Sequence, residues 1–170
     1  YILNKNLYVI GVISTYESIL WTERAHEPGV VKAVFVFTEK MNAILERGNL
    51  LYKTDEEQPA IITRKTLKLN KYGQQTITIQ GYMASRYLKQ RIIWKKMVMK
   101  GTPEMLMRQM VKEQVVEPED ESRKMPLIEL GEPLNLDLKV IEKQITYDNL
   151  QEALTDMSKT AELGYRLRLD

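Results

Sequence analysis

The chain has one histidine, His26, with Glu23 and Glu27 close by in sequence. An imidazole among carboxylates has the makings of a general base or a metal ligand. With no cysteine to join it, His26 makes a poor transition-metal site. Next to the turn Glu27-Pro28-Gly29 it reads as a surface residue of a hairpin. The carboxylate pairs Glu56/Glu57 and Asp137/Glu142 are the right types for acid–base work, but nothing beside them in sequence marks that role. The acidic run from Glu117 to Glu121 lacks the spaced ligands and central glycine of a calcium loop, so it reads as a solvated loop. Ser14, Ser18, Ser85, Ser122 and Ser158 lie in no nucleophile elbow, and phosphate-binding and dinucleotide fingerprints are absent. No catalytic, cofactor-binding or metal residue is assigned from the sequence.

Two further constellations concern binding. Arg86, Tyr87, Lys89, Arg91, Trp94, Lys95 and Lys96 mix bases with aromatics, as a single-stranded nucleic-acid site does by stacking and charge. The reading preferred here is that Tyr87 and Trp94 are packed and that the basic residues pair with acids of a neighbouring subunit. Five of the nine methionines cluster at Met97, Met99, Met105, Met107 and Met110. Such side chains can form an adaptable binding surface. The preferred reading is a core or a subunit interface near the junction between two domains.

The chain that must position these groups is 170 residues long, 44% hydrophobic and 28% charged, which is ordinary globular composition. A net charge of +2 gives no basic face that argues for nucleic acid by itself. No apolar run approaches the roughly 20 residues of a membrane helix, and no membrane partner is expected. Residues 1–6 lack the basic start and apolar core of a signal peptide. The absence of cysteine removes disulfides, thiol catalysis and thiolate metal sites together. It suits folding in a reducing cytoplasm, and equally a particle released from the cell.

Strand signals dominate the first hundred residues. Leu7–Ile13 reads as a buried strand, Ser18–Ala25 as a second and Val30–Thr38 as a third, with Val31, Ala33, Phe35 and Phe37 sharing a face. A short helix is expected over Glu39–Glu46 with Thr38 as its cap, then a strand over Leu50–Lys53. The clearest hairpin joins Pro59–Leu69 to Gln75–Tyr82. The stretch Gln75–Trp94 reads as a strand broken at Gly81, one helical turn, and a new strand at Arg91–Trp94, a device for bending a sheet round on itself. Lys95–Lys100 should finish a strand. Thr102 and Pro103 then open a helix with Leu106, Met107, Met110, and Gln114 or Val111 as its buried stripe. Met125–Leu136 is expected to be irregular and Leu138–Ile145 a strand. Leu150, Ala153, Leu154, Met157 and Ala161 mark a final helix, capped by Thr146 or Asp148 and closed by Gly164. Tyr165–Leu169 reads as a strand left without a partner, so the sequence is expected to be a piece of a longer protein.

Three segments carry a family resemblance. LYVIGVISTYESILWTERAHEPG, with KMNAILERGN and LLYK after it, resembles the start of the tail-hub proteins of long-tailed phages and prophages of Gram-positive bacteria. IQGYMASRYLKQRIIW resembles that family's glycine, short helix, Leu, Arg, Ile/Val, Trp pattern, on Gly81, Leu88, Arg91, Ile92, Ile93 and Trp94. TYDNLQEALTDMSKTAELGYRLRLD resembles its Asn-Leu helix followed by a Gly-aromatic strand. Two departures are Gly81-Tyr82 where the family has Gly-Arg, and the family's greater length.

The resemblance implies an α+β, mainly β fold: a β-barrel-like tube-forming hub domain over 1–100, then a smaller mixed α/β domain over 101–170 that continues beyond this sequence. It implies a structural subunit of a phage tail, prophage tail or phage-derived contractile injection particle, not an enzyme. Such a subunit forms a hub ring, trimeric in this family, that joins the tail tube to the baseplate or tail tip and its spike. The implied partners are copies of itself, a tail-tube or distal tail protein, and spike, fibre and other baseplate proteins, with at most transient, non-specific contact with DNA in the lumen. The implied location is a virion tail or tail-like particle assembled in the bacterial cytoplasm. The alternative is a tail-associated peptidoglycan- or glycan-degrading enzyme whose catalytic part lies elsewhere or in scattered carboxylates.

Overall fold

The computed structural model describes residues 1–169. They form two compact units, one of Tyr1–Arg24, Pro28–Ser85 and the tail from Arg166, the other of Ala25–Glu27 and Arg86–Tyr165. Along the chain the main change of unit falls at Ser85/Arg86. The composition change near Gly101 marks where helices begin. Pairing decides the unit, because the strand over 97–101 bonds to a strand over 141–145.

The first unit is a seven-stranded antiparallel sheet. Its strands are β1 (Ile2–Leu3), β2 (Val9–Gly11), β3 (Ser18–Thr22), β4 (Val30–Val36), β5 (Leu50–Leu51), β6 (Ala60–Leu69) and β7 (Gln75–Met83), in the order β2-β1-β5-β6-β7-β4-β3. The two edges are consecutive in sequence. Six steps of about 4.8 Å would set β2 and β3 about 29 Å apart in a flat sheet, whereas the chain from Gly11 to Ser18 reaches at most about 25 Å. The sheet has to curl, and it forms a half-barrel, in keeping with the expected mainly β, α+β class.

Alternation along β4 puts Val31, Ala33 and Phe35 inside. Their cross-strand neighbours on β7 are Gly81, Ile79 and Ile77. Ile2, Leu45, Ile62 and Met83 complete a dry core. Helix α1 (Glu39–Ile44) is capped by Thr38, whose hydroxyl accepts from the Met41 amide at 3.1 Å. Lys65 ties this helix to β6 by donating to the Asn42 carbonyl at 2.7 Å and pairing with Glu46.

Gly81 does not break the strand. β7 runs through it to Met83, and a Cβ there would lie 2.0 Å from the Ile61 carbonyl oxygen. The bend comes from a bulge between Ile62 and Arg64 on the facing strand, and glycine is what lets the two backbones approach there. The expected strand Leu7–Ile13 shrinks to an exposed edge, Val9–Gly11. Asn4 draws the chain into a turn by accepting from the Asn6 and Tyr8 amides, and Leu7 within it takes φ 66. Ile2–Leu3 fills the interior place instead, between β2 and β5.

The chain passes into the second unit along a 3-10 helix, Ala84–Gln90. That unit pairs β8 (Met97–Gly101) with β9 (Ile141–Ile145) and packs α2 (Pro103–Val111) and α3 (Leu150–Ala161) over one face. Met97, Met99, Leu106, Met107, Met110, Leu150, Leu154 and Met157 are buried together, so four of the five clustered methionines are core and only Met105 is exposed. Arg91–Trp94 is not a strand. Its carbonyls and amides are taken by a loop: Ile93 donates to Asp148 O at 2.9 Å, and Tyr147 and Leu150 donate back to Ile93 O and Arg91 O.

The caps of α3 also differ from expectation. Asn149, not Thr146 or Asp148, accepts from the Gln151 and Glu152 amides, and its own amide donates to Lys89 O at 2.7 Å. Glu162, not Gly164, adopts the left-handed φ of 55 at the far end. Tyr165–Leu169 forms no strand. Tyr165 instead donates its amide to Ala25 O and its ring hydroxyl meets the Thr155 hydroxyl at 3.1 Å.

Candidate functional site

The residues with chemical potential are mostly spoken for. His26 is part-buried, with Nδ1 2.7 Å from the Ser158 hydroxyl and 3.2 Å from Leu163 O. A histidine–serine pair can be nucleophilic machinery, but Ser158 is 0% exposed and gives its own proton to the Leu163 carbonyl. The trio fastens residues 25–27 and the end of α3 within the second unit, so His26 is a latch and not the expected surface residue. Glu56 pairs with Lys53, Glu57 with Arg166 and Glu142 with Lys100. Among the described residues, no three His, Cys, Asp or Glu side chains converge in a way that could hold a metal. No described helix is long and apolar enough to cross a membrane.

An open groove of about 1170 Å³ lies wholly in the second unit. Residues Trp94 to Met99 run along it, and Gln109, Glu113, Gln114 and Glu117 face them. The groove rests on a break in helical geometry. After Val111 the chain widens into a π-turn, Lys112–Val116, which directs both Gln114 and Val115 inward. Gln114 then spans from Met97, with its amide 3.7 Å from the sulfur, to Arg123, whose guanidinium lies 3.3 Å from its oxygen.

Arg123 organises the floor. It donates to Ile92 O at 2.5 Å, and its carbonyl accepts from Arg91 Nε at 2.7 Å. Its guanidinium lies 5.5 Å from the centre of the Trp94 ring, a cation–π stack. Burial, and then the neighbouring Arg91 charge, hold the Arg123 guanidinium below its usual pKa. Trp94 is 56% exposed, so it is not packed as expected. Tyr87 is half-buried, and burial pushes its phenol up. Lys95 reaches Glu119 across the groove within the same chain, without needing a neighbouring subunit. The lining has four bases (Arg91, Lys95, Lys96, Arg123) and four acids (Glu113, Glu117, Glu119, Asp120), so its formal charge is balanced. A polyanion gains little from such a surface. Sequence reasoning found the strand side of this groove and read Gln114 only as a possible member of the buried stripe, and it missed Arg123. The signal for Arg123 was the Asp120-Glu121-Ser122 step, where the Asp120 carboxylate accepts from the Ser122 amide and hydroxyl and caps a short 3-10 turn.

A family model described as the Siphovirus ReqiPepy6 Gp37-like protein matches residues 1–170. The chain belongs to this Gp37-like family. Among solved structures, the Gp37-like fold is similar to prophage tail protein gp18 from Listeria monocytogenes EGD-e, with a TM-score of 0.59 at 7% sequence identity. That likeness covers 92% of this chain and 44% of the Listeria protein, so the chain spans less than half the length of that relative. No curated protein matches the sequence.

Proposed function

We infer that this Gp37-like chain is a structural subunit of a phage or prophage tail. The observation that carries the reading is the siphovirus family match along all of residues 1–170. The fold it shares with a prophage tail protein supports it. The subunit acts in a hub ring, trimeric as in the tail-hub proteins it resembles, at the distal end of the tail tube. Its neighbours there are copies of itself, a tail-tube or distal tail protein, and spike, fibre or baseplate proteins, in a virion tail or tail-like particle assembled in the bacterial cytoplasm.

The half-barrel suits lateral assembly. Both edges of its sheet, β2 and β3, are unpaired among the described residues, and an open edge offers amides and carbonyls to another chain. Tyr8, Val9 and Val12 on or beside β2 are exposed apolar residues of the kind a subunit contact covers. Identical subunits joined by unlike edges close into a ring when the rotation permits. The role is mechanical and not catalytic, in keeping with a buried Ser158 and ion-paired carboxylates. Contact with DNA in such a ring is transient and non-specific, as suits a net charge of +2.

Electron cryo-microscopy of purified particles, with the chain tagged, tests this. Density for a closed ring at the end of the tail tube is expected. A tag found in no tail structure overturns the tail role, whereas a tag in the tail but outside any ring overturns only the hub.

A further inference from the structure

The groove of the second unit combines balanced charges and amides with a single aromatic side chain. Its one aromatic, Trp94, presents over half its surface, and Arg123 stacks against its ring. Around it the polar groups are held in place by one another: Gln109 donates to Glu113 at 2.8 Å, Lys95 pairs with Glu119, and Arg91 is bonded to Arg123 O. Each such pair uses only part of its hydrogen-bonding capacity. A carboxylate accepts about four bonds, an ammonium donates three, and a glutamine amide does both. The groove therefore offers paired donors and acceptors with no surplus charge.

We propose that this groove binds a neutral oligosaccharide, with Trp94 as its stacking platform. A pyranose ring has an apolar face of C–H groups and a rim of hydroxyls that both donate and accept. The C–H face suits the negative face of the indole. The rim suits planar side chains, amides and carboxylates, which meet adjacent hydroxyls in pairs. A groove of about 1170 Å³ is large enough for several sugar residues. Charge decides against single-stranded nucleic acid, the other ligand a Trp–Arg stack could take. Its phosphates would run past Glu113, Glu117, Glu119 and Asp120 as well as past the bases. The groove is open at the surface, so an oligomer can pass through with only part of its length held.

The test is a fluorescence and NMR titration of the full chain with neutral tetrasaccharides of glucose, galactose and N-acetylglucosamine, beside a single-stranded oligonucleotide. At least one sugar should bind with a Kd of roughly 0.1–10 mM, indifferent to added salt, and should shift the indole N–H signal of Trp94 and not that of Trp21. Trp94→Ala should weaken binding at least about tenfold, and Trp94→Phe should keep most of it. Trp94 is exposed, so both variants should fold, which the unchanged thermal transition of each will show. Absence of binding by all three sugars overturns the proposal. So does sugar binding that survives Trp94→Ala, or oligonucleotide binding that is steep in salt and shifts the same indole signal.

Discussion

The two units are built on different physical rules. In the first, the buried cluster of Ile2, Val31, Phe35, Ile62, Ile77 and Ile79 is drawn from alternate positions of adjacent strands. In the second, the buried cluster of Met97, Met107, Met110, Leu150, Leu154 and Met157 joins one face of the antiparallel β8–β9 pair to the stripes of two helices. The two clusters share no residue. Pleat and register leave the first unit little room for error, because one added atom at a strand crossing has nowhere to go. Unbranched side chains make the second more forgiving of shape, and its geometry depends on single polar anchors such as Asn149, Arg123 and Glu104. Strict sheets and anchored helices should therefore fail in different ways.

The largest effect tests the strict half. Gly81→Val sets a branched side chain where the Ile61 carbonyl oxygen is 2.0 Å from the first added carbon. We expect a loss of about 3 kcal/mol or more from the first unit, with near-normal hydrogen-exchange protection of α2 and α3. Uniform loss of protection in both units would break the comparison. Met110→Ala tests the other half. It empties a fully buried site of the second cluster and should cost about 2–4 kcal/mol, read as an earlier urea transition of that unit while β4 and β7 amides keep their protection.

Asn149→Ala should cost about 1–2 kcal/mol, more than a plain helix cap, because the same side chain also bonds to Lys89 O. Asn149→Asp would sharpen this, since it keeps the cap but sets a carboxylate oxygen against Lys89 O in place of the donated bond. The smallest effect is a pH dependence. The Glu104 carboxylate accepts from the Leu136 and Leu134 amides, and these bonds hold its pKa below the ordinary 4.5. A depressed folded pKa means the loop anchor is fully present above that value and is lost as pH falls through the lower, folded one. Exchange protection of the Leu134 and Leu136 amides should fall in that acid range, with the β6–β7 amides unchanged, and Glu104→Gln should remove the dependence.

Legibility cut across the two units. The β6–β7 hairpin, the inward set Val31, Ala33 and Phe35, and the Thr38 and Thr102 caps could be read directly, because each follows from neighbours in sequence. The errors came where a distant group decided the outcome. Arg91–Trp94 has the residues of a strand, but its bonds are taken by Tyr147, Asp148 and Leu150. Gly81 looked like a corner because glycine in a strand allows either a bend or a close approach, and only the bulge on the facing strand tells which. The groove was half legible. Trp94 and its lysines stood out by type, whereas Gln114 is turned towards them by a π-turn that no periodicity announces, and Arg123 arrives on a separate 3-10 turn.

The methionine core has a further consequence, in redox terms. With no cysteine in the chain, methionine is the sulfur that an oxidant meets. Met97, Met99, Met107, Met110 and Met157 are sealed in the second unit, and Met83 in the first, while Met105 stands 61% exposed on the outer side of α2. Mild peroxide should convert Met105 to its sulfoxide first, at a place where a polar oxygen costs nothing in packing. Oxidation of the six buried ones has to wait for the core to open, so the rate at which they are modified serves as a clock for opening of the unit that surrounds them.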